Sequence, residues 1–98
     1  MSGDKITRET VVVAREDLLS SDLSDDELVM MDIDKGHYYG LEGVAKAIWA
    51  QLASARPVSD ICAAVVAQFD ADNEAVEKDT IDFLTELHKE NLINILER

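Results

Sequence analysis

Between Glu27 and Trp49 the chain reads ELVMMDIDKGHYYGLEGVAKAIW, and its apolar positions change period partway through. Leu28 to Ile33 and His37 to Leu41 are rich in Met, Val, Ile and Tyr, side chains that suit a half-buried pleated surface. Between them Asp34-Lys35-Gly36 supplies a three-residue turn, since glycine adopts a positive φ without a Cβ clash. The pattern predicts a β-hairpin. After Leu41 the period lengthens to about 3.6. Val44, Ile48 and Leu52 then share one stripe, with Ala45 and Trp49 beside it, which predicts a first helix over 43–54.

Two strands alone are marginal in water, so the hairpin needs support. Thr10 to Ala14 (TVVVA) is β-branched and of strand length, and is read as its third strand. Residues 1–9 are polar and expected to be loosely held. REDLLSSDLSDDE reads as a solvated connection, in which Leu18, Leu19 and Leu23 pin turn-forming Ser and Asp residues to the core. Pro57 ends the first helix, Arg56-Pro57-Val58 is extended, and Ser59 caps a second helix with Ile61, Val65 and Phe69 on its apolar stripe. Asn73 is the expected N-cap of a third helix, where Glu74 and Glu77 suit the dipole of the first turns. That helix runs to about Glu90 and buries Val76, Thr80, Phe83, Leu84 and Leu87, with Asn91 as a left-handed cap. Leu92 to Leu96 is a last extended piece, expected near Pro57-Val58.

The simplest way to bury these faces is one α+β domain over 1–98, winged-helix-like, with a three-stranded antiparallel sheet packed on a three-helix bundle. A chain of 98 residues that is 47% hydrophobic has one small core and little stability to spare for an elaborate cavity, which disfavours an enzyme and implies no cofactor. Its 21 acidic against 9 basic residues give a formal charge of −12. The resulting field repels phosphate backbones and anionic membranes, and points to peptide or protein partners. No stretch suits a secretory signal or a membrane span, so the expected location is cytoplasmic.

Helix-turn-helix spacing over the second and third helices raises DNA binding. The third helix, however, carries Glu74, Glu77, Asp79, Asp82, Glu86 and Glu90 against Lys78 and Lys89, the wrong sign for a recognition helix. His37 and His88 lack metal-ligand spacing, so no metal is expected. Cys62, flanked by Ile61, Ala63 and Ala64, reads as a small buried hydrophobe, and Trp49 as core. The Asp25-Asp26-Glu27 and Asp32/Asp34 carboxylates read as surface groups rather than a general acid and base. An acyl carrier would need a serine opening a helix, whereas Ser20 and Ser21 lie in LSSD.

What remains is the edge of the hairpin. His37 to Leu41 carries neither Lys nor Pro, and Gly40 permits close backbone approach, so an extended peptide can add as a strand. A loop or a second copy of the chain is the other way such an edge is covered.

With Tyr39, Leu41, Ile48 and Trp49 in Tyr-x-Leu and Ile-Trp spacing, and with PVSDICAAVVAQFD and DFLTELHKENLI following, the chain resembles the PqqD-like proteins, the RiPP recognition elements. It departs at Glu42, Ala45 and Asn91, where that family often has Asn, Gly and Gly. The resemblance implies non-catalytic binding of the leader segment of a ribosomally made precursor peptide, beside the hairpin's second strand and against the third helix. Carried over, it places backbone contacts at His37, Tyr38, Tyr39 and Gly40, with Leu41 at the same edge. Side-chain contacts fall to Val76, Asp79, Asp82, Phe83 and Glu86. LLSSDLSDDELV is similar to stand-alone members from lasso-peptide clusters, implying a leader peptidase and an ATP-dependent cyclase as partners and a monomer or weak dimer. Pyrroloquinoline quinone synthesis, with a radical enzyme, is the alternative.

Overall fold

The computed structural model describes residues 5–96. Its elements are β1 (Val11–Ala14), β2 (Leu19–Asp22), β3 (Glu27–Asp32), β4 (His37–Glu42), α1 (Val44–Gln51), β5 (Arg56–Pro57), α2 (Val58–Phe69), α3 (Asn73–Lys89) and β6 (Ile93–Leu96). The α+β class with three helices is as expected, and the strands form two antiparallel sheets of three, ordered β5-β1-β6 and β2-β3-β4.

The hairpin therefore takes its third strand from a different segment than expected. Leu19–Asp22 pairs with β3, Leu19 opposite Met31 and Asp22 opposite Leu28. The Ser and Asp residues that read as a solvated connection make a tight turn, where Leu23 N–H donates to Glu27 O (2.9 Å) and Ser24 Oγ accepts from Asp26 N–H (3.2 Å). A short local closure costs less chain entropy than recruiting a distant strand, and it overrides the poor β-propensity of LSSD. Leu18 packs against the core as expected, but Leu19 and Leu23 are 53% and 66% exposed, so neither pins the segment. The turn between β3 and β4 spans 33–36, one residue more than expected, with Gly36 at φ 69°.

β1 sits at the centre of the other sheet instead, pairing with both β5 and β6, and its Val12 is fully buried. The C-terminal strand lies beside β1, not beside Pro57-Val58. α2 starts at Val58, one residue before the expected Ser59 cap. The carbonyls of Thr10 and Arg8 accept the Val58 and Ser59 N–H groups (both 2.9 Å), so the neighbouring segment satisfies donors a serine would have capped. Residues 1–9 only partly bear on the expectation of a loose terminus: 1–4 lie outside the described residues, and Ile6 is buried in the core.

α3 follows its stripe closely. Val76, Thr80, Leu84 and Leu87 are buried, Phe83 is half-buried on the flank, and Asn91 takes the left-handed conformation (φ 65°). Its N-cap is Asp72, whose Oδ2 accepts from Ala75 N–H (3.1 Å), one residue before the Asn73 expected. Asp72→Ala should cost about 1 kcal/mol in chemical denaturation, the usual value of such a cap. Ile48, Leu52, Ile61 and Val65 complete the core from α1 and α2, and Trp49 packs against it half-buried.

Candidate functional site

The hydrogen-bond direction of each β4 residue follows from its two ladders. Gly43 N–H donates to Asp26 O (3.1 Å), one step beyond the Glu27–Glu42 pair. Antiparallel alternation then makes Leu28–Leu41, Met30–Tyr39 and Asp32–His37 the hydrogen-bonded pairs. The Leu23 N–H to Glu27 O bond, treated the same way, turns Glu27, Val29 and Met31 towards β2, as this assignment requires. The N–H and C=O groups of Tyr38, Gly40 and Glu42 therefore point away from the sheet, along its free edge. Those of His37, Tyr39 and Leu41 are directed at β3. Of the four residues expected to offer backbone contacts, Tyr38 and Gly40 turn their N–H and C=O groups to the free edge, while those of His37 and Tyr39 are taken up by β3.

Side chains alternate as well. Leu28, Met30, Tyr39 and Leu41 face the helices, whereas Val29, Met31, Tyr38 and Leu19 face outward. β4 leads into α1 and packs on it, while α3 packs on α2 and β6. The space between β4 and α3 is bridged by Tyr39 OH, which donates to Glu90 Oε1 (3.3 Å) and lies 3.4 Å from His37 Nδ1. Burial, then the Glu90 carboxylate, raises the Tyr39 phenol pKa above its ordinary value, so the hydroxyl stays a donor.

On α3 the flank that carries Glu90 also carries Asp79, Phe83 and Glu86, by their spacing of four, seven and eleven residues. This flank sets one half-buried aromatic among carboxylates. Two further expected members differ in exposure. Val76, seven residues before Phe83 and on the same side of the helix, is 7% exposed and belongs to the core. Asp82, three residues from Asp79 and four from Glu86, is exposed at the outer margin of this flank and paired with Lys78 (3.2 Å).

Asp32, read from the sequence as a surface carboxylate, is 1% exposed. Its carboxylate accepts from Arg15 Nη1 (3.2 Å) and from Lys35 N–H (3.4 Å), partners that make burial tolerable and that no local pattern announces. Cys62 is half-buried on α2, and burial raises its thiol pKa. A hollow of about 320 Å³ on the outer face of the β2-β3-β4 sheet, lined by Leu19, Ser21, Val29, Met31 and Tyr38, also went unforeseen. It depends on β2, which the sequence hid. No helix of the described residues is long and apolar enough to cross a membrane.

No curated protein matches the chain. Among solved structures it is similar to TbiB1 in complex with the TbiA(beta) leader peptide, at 29% identity and a TM-score of 0.76, covering 88% of this chain and 99% of that one. The family described as coenzyme PQQ synthesis protein D matches residues 27–93, the span from the hairpin through α3 to the first residue of β6. The chain belongs to the PqqD family.

Proposed function

We propose that the protein binds the leader segment of a ribosomally made precursor peptide by strand addition to β4, without catalysis, and hands it to the leader peptidase and ATP-dependent cyclase of a lasso-peptide pathway. The observation that carries this reading is the free edge of β4, with the outward backbone groups of Tyr38, Gly40 and Glu42, tied through Tyr39 and Glu90 to the helix that carries Asp79, Phe83 and Glu86. The opposite edge, β2, ends in Asp22 and runs into Ser24-Asp25-Asp26, charges that blunt it against pairing. Family membership and the similarity to a leader-bound protein support the same reading.

In this mode leader residues opposite Tyr39 and Leu41 turn their side chains inward, towards Phe83. Those opposite Tyr38 and Gly40 turn outward and contribute main-chain bonds. Specificity thus rests on two leader positions spaced two apart, and the acidic flank favours a basic leader.

The test is a titration of labelled leader peptides, beginning with any short precursor frame found beside the gene and including the TbiA(beta) leader, at several ionic strengths. Micromolar or tighter binding, with association slowing as salt rises, is the expected result. Absence of binding to any such leader sinks the function, and a flat salt response removes the acidic flank from the mechanism. The family's description favours a second reading, peptide delivery in pyrroloquinoline quinone synthesis to a radical enzyme. Selective binding of that pathway's precursor peptide would establish it.

A further inference from the structure

The end of α3 is held to the hairpin by a cluster of polar contacts centred on a buried charge. Asp32 closes β3 and sits opposite His37, the first residue of β4. Its carboxylate holds Arg15 Nη1, and the same nitrogen donates to Asn91 O (2.8 Å), just beyond α3. The Arg15 N–H reaches Leu92 O (3.1 Å), and Arg15 Nε and Nη2 hold the Asp17 carboxylate (3.0 and 2.7 Å). From the hairpin turn Lys35 Nζ donates to Glu90 O, while Tyr39 OH reaches the Glu90 side chain. Arg15 thereby joins the central strand of one sheet, the last turn of the other and the C-terminal cap of α3.

A buried ion pair contributes little net stability compared with a well-packed apolar pair. What it does contribute is direction, because a guanidinium fork tolerates few geometries, whereas an apolar contact permits sliding. The pair joins the end of β3, the strand on which β4 is laid, to the cap of α3; β4 and α3 are the two walls of the groove, and each wall otherwise packs on different neighbours. We propose that Asp32, Arg15 and Lys35 are positioning residues for the docking groove: they touch no leader residue but together fix the separation of β4 from the Phe83 flank. This rests on the leader-binding reading above.

The experiment compares Asp32→Asn, Arg15→Lys, Lys35→Met and Phe83→Asp for binding of the labelled leader that the unsubstituted protein binds in that titration, each below its own Tm. NMR amide spectra of the free proteins are recorded alongside. Asp32→Asn and Arg15→Lys should bind about tenfold more weakly, with amide shifts concentrated in 38–42 and 86–91. A merely stabilising pair would lower Tm without moving affinity. If neither Asp32→Asn nor Arg15→Lys folds, Lys35→Met decides, because it removes one tether of the cluster and leaves the Asp32–Arg15 pair intact. A loss of about threefold with the same localised shifts supports the proposal. Folded tether variants that bind within twofold of the unsubstituted protein, while Phe83→Asp binds poorly, overturn the positioning role and leave the groove standing. Normal binding by Phe83→Asp overturns both.

Discussion

Replacing Phe83 with Asp is expected to weaken leader binding by about 30-fold or more in a fluorescence-polarisation titration, which corresponds to losing burial of one aromatic contact. Phe83 is half-buried on the groove flank of α3, so its replacement leaves Leu84 and Leu87 to hold the helix in the core. The added carboxylate would attract a basic leader, so electrostatics alone predicts tighter binding. A loss therefore reports the missing ring, and unchanged affinity of the folded variant would remove Phe83 from the site.

Gly40→Pro should lower affinity by about 10- to 100-fold, since it deletes a donor that an incoming strand must satisfy and leaves a leader carbonyl unpaired. Edge strands accept proline where the N–H faces solvent, and a Cβ built at Gly40 meets nothing within 4 Å, so the sheet itself should persist. Gly40→Ala keeps the donor and should bind as the parent does. Tyr39→Pro is a contrasting case. Its N–H is directed at β3, so the substitution breaks the hairpin ladder and should appear as lost stability before lost affinity. Equal leader affinity in Gly40→Pro and Gly40→Ala would rule out main-chain pairing at this edge.

Where the chain carries a long repeating signal, the structure follows it. The three helices, the β3-β4 hairpin and the left-handed Asn91 all express local chemistry, namely a 3.6-residue stripe, a glycine turn and an asparagine cap. The partition of strands between sheets is not local. LSSD has no strand propensity and becomes β2 because the Ser24-Asp25-Asp26 turn folds it back onto β3; TVVVA, a better strand by composition, is captured by β5 and β6. The candidate site divides in the same way. Tyr38, Gly40, Asp79, Phe83 and Glu86 were legible from sequence and resemblance. Backbone direction along β4 required the ladder register, and the burial of Val76 and the Lys78 pairing of Asp82 appeared only with the packing of α3. Asp32 was misread because its partner Arg15 is seventeen positions away, just beyond a strand of the other sheet.

The outer face of the β2-β3-β4 sheet leaves Leu19 53% and Tyr38 70% exposed, with Ile33 59% exposed in the adjoining turn, grease that would ordinarily draw one molecule to another. The formal charge of −12 opposes such clumping through long-range repulsion between like molecules, a colloidal barrier that weakens within a Debye length of about 8 Å at physiological salt. The surplus of carboxylates thus acts as a dispersant for the fold. It allows a bare hydrophobic face to remain in water, and that protection fades as the pH approaches the isoelectric point near 4.3.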